Sequence, residues 1–561
     1  MNNSQSYRPV LLRDDPFIPI SSGNSLHFHT GNQRSERPLF VHKIAPCRSA
    51  CPIGIDIPAA FFEASRGNMD EALRIYLEDN PLPGITGRVC YHPCEGLCNR
   101  REFDEPINVR AFERFLADHA TGDLSLPPLR SGKEKVAVIG SGPSGLSCAY
   151  HLARKGYAVT IFEQQPEPGG MLRYGIPPYR LPRTVIDREI ARILALGITL
   201  RCSVKASDVD SFDAVFYGVG LQKGRSLFDD PSVLSGLEFL ADPPLWSLND
   251  PKEKVLVIGG GNVGIDVART LVRIRNGNAR NITLLSPESA SQMPALPEEV
   301  TEARDEGITI INGLAPSGLL RKGKRLYLEA RPVEVTSDPE GTITITPIGE
   351  ETERFRADRI IVAIGQTLEF PHLPTQKDRI VSNPFCRVSE RAFAGGDATG
   401  SKPFVADAIA SGKMAALSIA STLEGKAIED EYASRRLGTG SAFSLRTDNT
   451  DLHRIVPFER INTLFFTEAS RTNPDLLSPA MRRGTFDEVA SGLNPVSMGQ
   501  EIARCFKCGV CIDCKYCVDF CPDLSILREA SGLTFDYDHC KGCGMCDTVC
   551  PRNVIEMERE P

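Results

Sequence analysis

The run Val136-Ala137-Val138-Ile139-Gly140-Ser141-Gly142-Pro143-Ser144-Gly145 decides the fold. Four apolar residues make a short strand, and a Gly-x-Gly-x-x-Gly turn follows at once. The glycines permit a tight turn, let the backbone approach a diphosphate, and allow the next helix to pack on the strand. A helical stretch through Tyr150 to Arg154 and a second strand, Val159 to Phe162, complete a βαβ unit. A diphosphate would rest at the positive N-terminus of that helix, which makes Gly140, Gly142, Ser144 and Gly145 candidate ligands. Glu163 ends the second strand, roughly twenty residues past the first glycine, where a carboxylate accepts the ribose hydroxyls of an adenosine.

The same grammar recurs at Val255-Leu256-Val257-Ile258, then Gly259-Gly260-Gly261-Asn262-Val263-Gly264, a helix through Arg269 to Ile274 and a strand from Ile282 to Leu285. Gly259, Gly261, Asn262, Val263 and Gly264 are the candidate ligands of this unit. Two units imply two α/β dinucleotide-binding domains, the second inserted in the first. The first domain spans 134–245 and 355–425, with a strand near Arg359 to Ile364 returning the chain to it. The second spans 246–354. Aligning the strands puts Ser286 where Glu163 sits, followed by Pro287 and Glu288. A 2′-phosphate needs Arg or Lys there. None is present, and Glu288 suits a free ribose, so the pattern favours NAD(H) over NADP(H), with Arg273 or Arg275 of the helix as the alternative source of a cation.

The chain has 561 residues, 41% hydrophobic and 24% charged, with net charge −8. That is an ordinary globular composition spread over several domains. The acidic balance argues against nucleic acid as a partner. The start of the chain lacks a secretory signal pattern, and no apolar run approaches the ~20 residues of a membrane span. The expectation is a cytoplasmic protein with no direct membrane insertion.

Of 18 cysteines, five lie between Cys47 and Cys98, ten between Cys505 and Cys550, and only Cys148, Cys202 and Cys386 between them. Such clustering in a reducing compartment points to metal rather than disulfides. Cys511-x2-Cys514-x2-Cys517-x3-Cys521-Pro522 and Cys540-x2-Cys543-x2-Cys546-x3-Cys550-Pro551 are two copies of the bacterial ferredoxin run, in which the fourth cysteine crosses to the other cluster. One 4Fe-4S cluster then takes Cys511, Cys514, Cys517 and Cys550, and the other Cys540, Cys543, Cys546 and Cys521. Cys505 and Cys508 are left over. Toward the N-terminus, Cys47-x3-Cys51 and Cys90-x3-Cys94-x3-Cys98 fit an iron–sulfur site or zinc by spacing alone. The expected architecture is an irregular arm at 1–45, a helical metal-binding domain at 46–125, the interleaved domains, a connector at 426–500 and an α+β ferredoxin domain at 501–561.

These motifs, with Cys51-Pro-Ile-Gly-Ile-Asp-Ile-Pro58, Asn80-Pro-Leu-Pro83, Gly87-Arg-Val-Cys90, Gly169-Gly-Met-Leu-Arg-Tyr-Gly-Ile-Pro177, Met293-Pro-Ala-Leu-Pro297 and Gly395-Gly-Asp397, resemble the glutamate synthase small-subunit family over roughly residues 40–425. With its ferredoxin module the chain looks most like the flavin subunits of 2-oxoacid:ferredoxin oxidoreductases or NAD(P)H-dependent iron oxidoreductases. The resemblance implies FAD in the first unit. Gly140, Gly142, Gly145 and Glu163 would hold its ADP half, the segment Gly170, Leu172, Arg173 and Ile176 would pass near the isoalloxazine, and Gly396 and Asp397 would lie toward the ribityl-pyrophosphate. Relatives often carry two N-terminal 4Fe-4S clusters, one of which needs a cysteine pair upstream of Cys47. No cysteine stands there, so the expectation is one cluster, with ligands that the resemblance puts at Cys51, Cys90, Cys94 and either Cys98 or Glu113, with Cys47 spare, for three clusters in all. An arginine pair of the family is replaced here by Pro287 and Glu288.

The implied activity is electron transfer. Nicotinamides give two electrons as hydride while clusters take one at a time, and a flavin converts between them. No acid–base pair is required. Partners would be other subunits of a redox complex or a soluble ferredoxin. The competing reading is a glutamate synthase small subunit serving a large amidotransferase subunit, against which the extra ferredoxin module argues.

Overall fold

The computed structural model describes residues 10–11, 19–20, 29–121, 134–205, 209–323, 325–337, 343–370, 372–446, 450–529 and 532–560. In the N-terminal domain the apolar stretch from Pro58 to Leu77 is broken at Gly67, whose φ of +86° turns the chain. Helices Ile57–Ser65 and Met69–Asp79 result, joined by Pro83–Val89 and Val109–His119. Asp56 caps the first through the Ala59 N–H at 3.3 Å, and Asn108 caps the last through the Ala111 N–H at 3.1 Å. Each cap is worth about 1 kcal/mol. Phe61 and Phe112 stack at 3.8 Å in the middle of the bundle.

Two five-stranded parallel sheets follow. The first runs, in spatial order, Ala392–Ala394, Ala214–Tyr217, Lys135–Ile139, Ala158–Phe162 and Thr199–Arg201. Helices Pro143–Arg154 and Val405–Leu423 pack on one another beside it. The second runs Val233–Ser235, Arg359–Val362, Val255–Ile258, Ile282–Ser286 and Thr309–Asn312. Parallel strands covered on both faces read as continuous apolar runs, and Val255–Ile258 is buried throughout. An antiparallel meander between Leu314 and Ala357 extends this domain.

The domain limits differ from those expected. Arg359–Val362 returns the chain not to the first sheet but to the second, beside Val255–Ile258, and Val233–Ser235 joins it there. The crossing points are instead Lys223–Gly224 and Gln366–Thr367, which pair antiparallel as a two-stranded link. An apolar run announces a buried strand but not which sheet accepts it.

The stretch expected to be irregular also holds strands. Glu36–Phe40 pairs antiparallel with Ile555–Arg559, so that Phe40 lies opposite Ile555 and Glu36 opposite Arg559. His42–Ile44 pairs parallel with the segment Thr450–Ile455. The N-terminal segment thus lies against the ferredoxin domain, with Phe40 stacked on Phe535 at 4.5 Å.

Candidate functional site

The two glycine turns are built alike. Gly140 has φ +100° and its amide donates to Phe162 O at 2.8 Å; Gly259 has φ +129° and donates to Leu285 O at 2.9 Å. A Cβ at Gly140 would meet Gly218 O at 2.5 Å, and at Gly259 would meet Ala363 O at 2.3 Å, so no other residue fits either turn. The middle glycines, Gly142 and Gly261, face open space. Gly145 and Gly264 let their helices close on the preceding turn, where a Cβ would lie 2.0 and 2.1 Å from a carbonyl. Each turn therefore presents bare backbone at a helix N-terminus, the arrangement a diphosphate requires.

In the first turn Glu163 is buried, and its carboxylate accepts the Ser141 N–H at 2.9 Å and the Gln165 N–H at 2.8 Å. Ser144 Oγ is buried with no hydrogen-bond partner among the described residues, an orphan at the mouth of the helix. Gly396 lies against Ser144 and donates its N–H to Ser411 Oγ at 2.9 Å. Burial pushes Asp397 up to about 6, against the opposing pull of Arg379. Gly170 touches Gly142, where a Cβ would come within 2.9 Å, and Gly169 N–H donates to Ser141 Oγ at 3.0 Å. These residues, far apart in sequence, converge on one cradle with an unmet polar atom, and the bare backbone there suits the diphosphate of a dinucleotide. Leu172 is fully buried in the core and supports the segment from beneath. Arg173 is held by Pro168 O at 2.8 Å and by Asp187, and Ile176 is half-buried beside the same core.

In the second turn the strand register places Ser286 level with Glu163, since Ile139 pairs with Phe162 and Ile258 with Leu285. Glu288 reaches back two residues: its Oε2 accepts from Ser286 Oγ at 2.6 Å and overhangs Gly260. Arg273 gives both terminal nitrogens to Glu306 at 2.8 and 3.0 Å, and Arg275 donates to Leu248 O at 3.0 Å. Both arginines are buried and committed to structure. Asn262 Oδ1 accepts the Leu296 N–H at 2.9 Å, which anchors the next loop over the turn, and Val263 packs on the domain core.

The cysteines sort into separate groups. One cleft is lined by Cys511, Cys514, Cys517 and Cys550, and another by Cys521, Cys540, Cys543 and Cys546. In the N-terminal domain Cys51 and Cys90 neighbour Glu113, and Cys94 neighbours both thiols. Burial pushes Glu113 up to about 8. Its Oε1 accepts from Asn80 Nδ2 and Thr86 Oγ1, both at 2.7 Å, and among the described residues no bond is made to Oε2. Cys98 faces elsewhere, toward Cys505. No three described His, Cys, Asp or Glu side chains close on a single ion; thiolates on a four-iron cubane stand apart by the width of its core.

Sequence comparison agrees with this geometry. Residues 134–415 match the family model described as pyridine nucleotide-disulphide oxidoreductase. The chain belongs to that family. This oxidoreductase also matches the dihydropyrimidine dehydrogenase domain II, 4Fe-4S cluster model over 25–123 and a 4Fe-4S binding domain over 533–556. It is 32% identical over 513 residues to the NADP(+)-dependent formate dehydrogenase subunit beta of Moorella thermoacetica, covering 83% of this chain and 70% of that one. It is 30% identical over 535 residues to the NADPH-Fe(3+) oxidoreductase subunit beta of Geobacter sulfurreducens, covering 84% and 77%. With the NAD-dependent dihydropyrimidine dehydrogenase subunit PreT of Escherichia coli it shares 33% over 412 residues, 70% of this chain and 94% of that subunit. The chain is an NAD(P)H-dependent electron-transfer oxidoreductase with iron–sulfur domains at both ends. None of these three relatives is a glutamate synthase subunit. No described helix is long and apolar enough to cross a membrane.

Proposed function

We propose that this chain binds FAD at the Gly140 turn and NAD(H) at the Gly259 turn, and passes electrons singly through 4Fe-4S clusters to or from a partner subunit or a ferredoxin. Gly140, Gly142, Ser144, Gly145, Glu163, Gly170, Gly396 and Asp397 hold the flavin nucleotide. One N-terminal cluster is held by Cys51, Cys90, Cys94 and Glu113, whose unbonded Oε2 supplies the fourth ligand in place of Cys98. Two C-terminal clusters take Cys511, Cys514, Cys517 and Cys550, and Cys540, Cys543, Cys546 and Cys521. Bound flavin supplies the exchange between a hydride and two single electrons; the residues of this chain position it and exclude water.

The observation that carries the reading joins the first cluster to the flavin cradle. Tyr91 follows Cys90, and its ring stacks on Phe404 at 4.1 Å. Its hydroxyl neighbours Asp407 in the first turn of Val405–Leu423, the helix whose Ser411 holds Gly396. The residue next to a proposed cluster ligand therefore abuts the helix that shapes the flavin cradle.

NAD(H) is favoured because Glu288 overhangs the second turn while Arg273 and Arg275 are bonded elsewhere. The test is anaerobic titration of the purified protein with NADH, following flavin bleaching and the appearance of cluster EPR signals. One FAD per chain and reduction of both centres are expected. Absence of flavin, or a flavin that neither nucleotide reduces, would sink the proposal.

A further inference from the structure

Cys47, Cys98, Cys505 and Cys508 belong to none of these clusters. They come from both ends of the chain, yet the structure gathers them. Cys47 lies in the short helix Pro46–Ala50 and packs on a small apolar core formed by Ala45, Val456, Ile461, Phe506 and Cys508. Asn99, next to Cys98, donates Nδ2–H to Cys508 Sγ at 3.5 Å, and the Lys507 N–H points at Cys505 Sγ at 3.4 Å. Arg100 bonds Arg504 O at 2.6 Å, and Lys43 N–H bonds Gly509 O at 3.2 Å, clamping the two segments on either side. Burial is the main influence raising the Cys47 thiol, followed by Cys98, Cys508 and Cys505. Cys508 in turn senses Cys505 and Cys98.

Charge is the second observation. Lys507 and Arg552 are both buried beside these thiols. Neither has a carboxylate partner among the described residues: Lys507 Nζ reaches only Ile502 O at 3.5 Å, and Arg552 Nε has no partner. Arg552 has Cys514 and Cys550 of the ferredoxin cleft as ionisable neighbours, and Cys505 and Cys508 as well. Two buried cations facing neutral thiols would be costly, whereas a thiolate-ligated cluster supplies the missing negative charge.

We propose that Cys47, Cys98, Cys505 and Cys508 hold an additional 4Fe-4S cluster that bridges the N-terminal domain and the ferredoxin domain. The inference rests on the reading that the neighbouring groups also hold clusters, and it gives their electrons a continuous route. Cys47 precedes Cys51 by one helical turn and neighbours Cys94. Cys508 precedes Cys511 by three residues, and Arg552 neighbours Cys505 and Cys508 as well as Cys514 and Cys550. One electron enters from one flanking cluster and leaves to the other, with no bond made or broken. Iron–sulfur is preferred to zinc because both flanking groups are iron–sulfur sites and zinc carries no electrons.

The test uses full-length, anaerobically purified protein. With this cluster, iron and labile sulfide should each approach about sixteen per chain, four for each cubane. Cys505→Ser with Cys508→Ser should lower iron by about four while FAD content is kept. Native protein should shield all four thiols from alkylation until its iron is chelated, a measurement that stands even where the variant fails to fold. About twelve irons in wild type and variant alike, bound zinc, or ready alkylation of these four thiols in the native protein would overturn the proposal. Iron well below twelve, with the ferredoxin cleft thiols also alkylated, would overturn the three-cluster reading beneath it as well.

Discussion

Lys413 Nζ lies 2.8 Å from Asp79 Oδ1, with both side chains fully buried. Asp79 ends the helix Met69–Asp79 of the N-terminal domain, and Lys413 sits midway along Val405–Leu423 beside the flavin sheet. Lys413 also donates to Phe443 O at 2.7 Å, and Asp79 accepts the Leu445 N–H at 2.7 Å. One ion pair thus joins the N-terminal domain, the flavin domain and the connector. Removing one partner strands a buried charge.

Lys413→Met should therefore destabilise the protein by about 3–5 kcal/mol. Thermal unfolding of the holoprotein, followed by flavin release, should show a clear fall in Tm, and adding Asp79→Leu should recover part of it. An unchanged Tm for Lys413→Met would remove the pair from the account of domain docking.

His151 is buried in the same interface, its Nε2 3.2 Å from Asp79 O. Burial holds it well below its usual value, and Lys413 and Arg154 push the same way. The unfolded chain gains a proton near pH 6.5 that the native state refuses, so stability is fully present above that pH and is lost as pH falls below it. Each pH unit below costs up to about 1.4 kcal/mol. Tm should fall between pH 7.5 and 5.5 in wild type and less steeply in His151→Gln; equal slopes would exclude His151 as the source.

Cys514 lines the ferredoxin cleft, remote in sequence from both glycine turns. Cys514→Ser should alter the EPR signal of that cluster and block electron exit, yet leave flavin reduction by NADH nearly intact in stopped-flow traces. Loss of flavin reduction in a folded variant would contradict the modular arrangement.

Nucleotide choice should follow the carboxylate over the second turn. One unfavourable contact of this kind costs about 1–3 kcal/mol, roughly ten- to hundredfold in affinity. NADH should exceed NADPH in kcat/KM for flavin reduction, and Pro287→Arg with Glu288→Arg should narrow or invert the preference. Equal use of both nucleotides by wild type would refute it, since Arg273 is bonded to Glu306 and Arg275 to a carbonyl.

By itself the sequence determined what is local: two strand–turn–helix units and two ferredoxin runs. Turn geometry and cluster chemistry fix residue types at spacings of a few residues, so Gly140, Gly142, Gly145 and the C-x2-C-x2-C runs are legible in one dimension. Tertiary structure decided everything that depends on partners. Arg359–Val362 is apolar enough for either sheet, and only pairing with Val255–Ile258 settles its place. Glu36–Phe40 looked irregular because its partner, Ile555–Arg559, lies at the far end of the chain. Cys47, Cys98, Cys505 and Cys508 read as leftovers for the same reason: local spacing specifies a segment's own conformation, and side chains hundreds of residues apart meet only when non-local packing brings their segments together.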